Sequence, residues 1–240
     1  VELAGSGTAG TAPAYGPLLE ACAMTETVVA STSVTYAPNS DAAPGSATIY
    51  FNNDGVLHKA TGCRGTFTLN GAVGEIPTIA FEFTGIYNTP SDVSLSTPTY
   101  SNQADPVVFK NGNTTGFQVF SYAGALQSFS LEMANEIVYR ELVGGTKEAI
   151  ISNRAPAGEV MIEAVTMATH NFFNDATGGS TGNLTFQHGQ TAGNIVTFTA
   201  SQIDLGNPSY SDEDGIQMLT LPYIATPTDS GNDELELVYT

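Results

Sequence analysis

Apolar side chains recur at every second position through most of this chain, a period that admits little but β-structure. In "TIAFEFTGIY" (78–87), Phe81 and Phe83 fall on one face while Ala80, Glu82 and Thr84 fall on the other. "LQSFSLEM" (126–133) repeats the scheme, with Phe129, Leu131 and Met133 opposed to Ser128, Ser130 and Glu132. Segments of the same character, rich in Thr, Val, Ile and Phe, predict strands at 25–36, 46–51, 55–60, 66–70, 159–167, 183–188, 194–205, 216–224 and 234–239. Asn53-Asp54-Gly55 reads as a hairpin turn between two of them. Helix is scarce. Pro17 suits a first helical turn, with Leu18, Leu19 and Cys22 on one face, and 169–177 is stopped by Gly178-Gly179. The fold class is mainly β with one or two short helices.

Three segments fall outside the pattern. Residues 1–13, "VELAGSGTAGTAP", are small and polar and read as a flexible N-terminal arm. Residues 14–225 then form a single β-rich domain, since all-β chains of this length are commonly one domain. Within it, 88–115 is a long loop of turn residues, yet "PVVF" (106–109) carries apolar side chains that need a partner, expected on a neighbouring subunit. Residues 226–240 are an acidic C-terminal segment.

Composition narrows the partners. With 24 acidic against 6 basic residues the formal charge is −18, which disfavours gripping phosphates or an anionic membrane surface. No apolar run approaches the ~18 residues of a membrane helix. Cys22 and Cys63 are far apart without a CxxC; buried reduced thiols are the ordinary reading and one disulfide the other.

The chemical motifs fail one by one, leaving no catalytic, cofactor-binding or metal residue to name. "NPSYSDEDGIQMLTLPY" (207–223) gathers Asp212, Glu213 and Asp214. An EF-hand loop started at Asp212 would put Gly215 at position 4, Ile216 at 5 and Tyr223 at 12, where Gly at 6 and Glu at 12 are needed. Turn chemistry explains the series better than a weak cation site. "GGSTG" (178–182) has the letters of a nucleophile elbow but follows a helix and precedes a strand, the reverse of what the elbow needs. His58, His170 and His188 share no metal-ligand spacing. A glycosidase carboxylate pair is a property of the fold, and the chain has no Trp for a sugar platform.

Three stretches together, "APAYGPLLEACAM" (12–24), "RAPAGEVMIEAVTMATHNFF" (154–173) and "NPSYSDEDGIQMLTLPY" (207–223), resemble the major tail tube proteins of long-tailed (siphovirus-like) bacteriophages. The resemblance implies a β-sandwich or partial barrel flanked by a helix, polymerising with itself as stacked hexameric rings in the virion. The arm and long loop would bridge subunits. The lumen would pass genomic DNA and the tape-measure protein without specific binding, and tail-end proteins would close the tube. The protein would be a structural component assembled in the host cytoplasm, neither an enzyme nor a membrane protein. In such a ring Glu82, Glu132 and Glu163 are expected to face the lumen, the first two from the Ser/Thr side of their strands and Glu163 alongside Met161 and Val165. A carbohydrate-binding or capsid-decorating β-sandwich module is the alternative, and a β-sandwich hydrolase a more distant one.

Overall fold

The computed structural model of the chain describes residues 1–41 and 44–240. In chain order the strands are β1 (Met24–Val29), β2 (Ser33–Pro38), β3 (Ala47–Asn53), β4 (Val56–Ala72), β5 (Thr78–Asp92), β6 (Thr114–Val119), β7 (Leu126–Glu132) and β8 (Glu136–Glu141). They continue with β9 (Lys147–Asn153), β10 (Ala157–Glu163), β11 (Thr181–His188), β12 (Val196–Leu205), β13 (Ser209–Glu213), β14 (Ile216–Ala225) and β15 (Glu236–Tyr239). The helices are α1 (Gly16–Glu20) and α2 (Phe172–Gly178), and α2 is capped by Asn171, whose Oδ1 accepts the Asn174 N–H at 3.0 Å.

The strands follow an antiparallel path, β1-β2-β15-β12-β14-β10-β7-β4-β3, open at both ends rather than closed into a barrel. Strand β12 is the branch point. Its first half pairs with β15 and its last three residues with β14, while β11 runs along its other side and carries β6. Two layers result, and their inner faces meet in an aromatic core. The Phe129 ring of β7 lies 4.9 Å from Phe186 of β11 and 4.8 Å from Phe198 of β12. This is a β-sandwich, as alternation along the strands requires when one face of each sheet is buried.

The pattern's boundaries move in places. The segment 25–36, read as one strand, is the β1–β2 hairpin, with Ser31 at φ 57° in the turn. The segments 55–60 and 66–70 are one strand, β4, which changes register at Gly62, so that one end pairs with β3 and the other with β7. Strand β5 runs through to Asp92 and β6 begins at Thr114, which shortens the 88–115 loop at both ends. Strands β6, β8, β9 and β13 form where none is expected, whereas β14 falls on the expected 216–224.

Two segments read as reaching outward pack on their own chain. Val1 donates its ammonium to the Ile79 carbonyl at 2.8 Å, the Leu3 N–H reaches the Pro77 carbonyl at 2.8 Å, and Leu3 and Ala4 are buried. The Tyr15 hydroxyl donates to the Ala4 carbonyl at 2.8 Å and lies 3.1 Å from that of Tyr239. In the loop, Phe109 is buried against Phe186 and stacks on His188 with ring centroids 5.6 Å apart, so the apolar end of "PVVF" finds its partner within the chain. Both cysteines are free and buried; burial pushes the Cys22 thiol up to about 12 and raises that of Cys63, which leaves them unreactive.

Candidate functional site

One surface gathers the residues that the alternation singles out. On β5, β4, β7, β10 and β14 the residues Ile79, Leu69, Leu131, Val160 and Leu221 point into the core. Their alternates form the opposite, outer face. Register holds these outward residues in rows, because directly paired residues share a face. Thr66 stands opposite Glu82, Thr68 opposite both Ala80 and Glu132, and Glu132 opposite Ala157. Ser130 stands opposite Asn70 and Glu159, and Glu163 opposite Met218. The structure therefore brings Glu82, Glu132 and Glu163 onto one face, and all three are exposed.

Glu159 joins them, two residues before Met161 and exposed. The period-two rule that selects Glu163 in "EVMIE" selects Glu159 equally. It sits on the diagonal from Glu132 across the β7–β10 pair, where side chains are roughly 7–8 Å apart. At the edge, Glu213 accepts from Gln127 Nε2 at 2.7 Å. The outward positions of 66–70, 78–84, 128–132 and 159–163 include no Lys or Arg. Arg64, on the same strand as Thr66, is turned to backbone oxygens: its Nη1 donates to Ala149 and its Nη2 to Pro44, at 2.5 and 3.0 Å.

Chemically the face offers hydroxyls, amides and ionised acceptors. Among the described residues no three His, Cys, Asp or Glu are placed to hold a metal. The acidic turn is a hairpin corner. Asp214 and Gly215, at φ 52° and 83°, join β13 to β14, and Asp212 Oδ1 accepts the Gly215 N–H at 3.2 Å. The histidines are dispersed: His58 is exposed, His170 meets Asp175 at 2.8 Å, and His188 is buried in the core. Ser180 lies between α2 and β11, in no elbow.

A family model described as phage tail tube protein matches residues 2–231. The chain belongs to the phage tail tube protein family. No curated protein matches it closely enough to be named as a relative. Tail tube proteins are structural components of the virion tail rather than a class of enzymes, and they assemble with themselves and other tail components. That sets aside the carbohydrate-binding or capsid-decorating alternative. Among the described residues no helix is long and apolar enough to cross a membrane.

Proposed function

We propose that this chain polymerises as stacked rings of six subunits, with the outer face of β5, β4, β7 and β10 lining the channel. The observation that carries this reading is the row of exposed glutamates on one sheet face whose paired positions hold no cation. Four strands from each of six subunits make a ring of roughly 24 strands. At ~4.8 Å spacing and ~40° tilt its backbone diameter is near ~48 Å, wide enough for a DNA duplex once side chains are added.

The lumen then carries a repeating belt of negative charge around a polyanion. Genome and tape-measure protein pass without being held, because like charges repel within about a Debye length and nothing on the wall displaces counterions. No catalysis is needed for this role. Subunits assemble in the host cytoplasm, and other tail proteins cap the two ends. Between rings, the 93–113 loop bridges neighbours; within it Leu95 and Tyr100, 66% and 85% exposed, remain to be covered.

Replacing Glu82, Glu132 and Glu163 together with Lys tests the wall. Tubes should still form, since these side chains are solvated, but they should retain duplex DNA at low salt and release it at high salt. Lysine tubes that retain no more DNA than native tubes would contradict the assignment.

A further inference from the structure

Between the start of β8, the end of β9 and the C-terminal segment lies a polar slot of about 300 Å³ lined by Asn135, Glu234, Arg154, Asp41, Ser152 and Asn153. Two of these side chains, Asn135 and Glu234, are only 6% exposed. Asn135 spends its Nδ2 on the Cys22 and Gly65 carbonyls at 2.8 and 2.9 Å, leaving Oδ1 buried with no partner among the described residues. Glu234 Oε1 takes Arg154 Nε at 2.9 Å and Nη2 at 2.8 Å, while Oε2 is likewise buried and has no partner among the described residues. Buried acceptors without donors are costly and rare in folded proteins.

Arg154 does not relieve them, because its remaining bonds go to the Asn39 carbonyl at 3.0 Å and Asn232 Oδ1 at 2.8 Å. Ser152, whose hydroxyl donates to the Glu136 carbonyl at 3.3 Å, also lines the slot. Asp41 adds an exposed carboxylate at the rim. Among the described residues the slot offers two carboxylates with amide and hydroxyl groups beside them, and its one guanidinium is already engaged.

We propose that this slot binds a hard metal cation of the Ca²⁺ kind. The donor set is carboxylate, amide and hydroxyl oxygen, which Ca²⁺ accepts in flexible geometry and completes with water. Mg²⁺ holds its own water too tightly to favour such a set. The volume accommodates a cation with several waters at roughly 30 Å³ each, and a chain of charge −18 concentrates cations around itself. The bound ion ties Glu234, two residues before β15, to Asn135 at the base of the β8–β9 hairpin, so it clips the acidic C-terminal segment to the body. Every residue of the site comes from one chain.

Thermal unfolding of the full chain, stripped with EGTA and titrated with CaCl₂ at an ionic strength fixed by KCl, tests the site. A saturable rise of several degrees in Tm is expected for the native chain and for the remote Asp92→Asn variant. Glu234→Gln should lose it. Asn135→Asp, which adds a carboxylate while removing the Nδ2 bonds, should start less stable and bind Ca²⁺ at least tenfold more tightly by calorimetry. A rise that KCl reproduces would mean general screening and overturn the proposal. So would an equal response in Glu234→Gln, weaker binding in Asn135→Asp, or no response at all, which leaves the slot to water.

Discussion

His188 shows how a single side chain can fasten a segment that looks unpatterned in the sequence. Its Nε2 donates to the Val107 carbonyl at 3.2 Å, its Nδ1 accepts from Thr114 Oγ1 at 2.9 Å, and its ring stacks on Phe109. Burial lowers its pKa below the ordinary 6.5, with the Val107 bond opposing. Below about pH 6.5 the unfolded chain therefore takes up a proton that the folded chain refuses, and stability is lost as the pH falls from there to the folded pKa. His188→Gln keeps one donor and one acceptor but cannot titrate. Its unfolding free energy should fall less steeply between pH 6.5 and 5 than the native chain's, and parallel curves would refute the role. Gly158 is a second case. A Cβ there would sit 2.0 Å from the Ser130 carbonyl oxygen and 2.8 Å from the Tyr223 hydroxyl, which bonds that same oxygen at 2.9 Å. Gly158→Ala should cost about 1–3 kcal/mol in chemical denaturation; a neutral result would show that the β7–β10 packing yields easily. Nothing in the local sequence around His188 or Gly158 marks either role, because both depend on side chains far along the chain.

At the scale of elements, legibility follows burial on one face. Strands with one buried and one exposed side, such as β5 and β7, alternate in the sequence and stand out at once. The β8–β9 hairpin does not, since "EIVYRE" places Ile137, Val138 and Tyr139 side by side and exposes nearly every position. Its sheet is two-stranded, held at the tip by the surface pairs Arg140–Glu148 and Lys147–Glu141. Such pairs contribute little and leave little trace in composition. Of the β13–β14 hairpin, strand β14 is legible, but β13 is hidden by its acidic residues, which look like a ligand set until the backbone is considered. With Asp214 and Gly215 both at positive φ, the turn is of the type that matches strand twist. Gly215→Ala should therefore cost about 1 kcal/mol, measured as a shift in denaturation midpoint. No shift would mean that the turn relaxes freely.

Across the whole molecule, the architecture and the acidic face are both readable from alternation, whereas the layer arrangement is not. Period two says which side chains share a face; it does not say that β12 divides its pairing between β15 and β14, because those partners are separated from it by intervening chain. The same limit applies to the N-terminal segment. Its small residues suggest freedom, yet Leu3 is a buried anchor whose value depends on Tyr15 and the β5 edge. The central claim, that the glutamate face of β5, β4, β7 and β10 is the channel wall, concerns orientation in a polymer and is tested there. The most direct measurement is an electron cryomicroscopy map of tubes grown from the purified chain, with this fold placed in the density. The account predicts Glu82, Glu132, Glu159 and Glu163 on the inner surface of a six-fold ring, pointing into solvent. Those carboxylates on the outer surface, or buried between subunits, would contradict it.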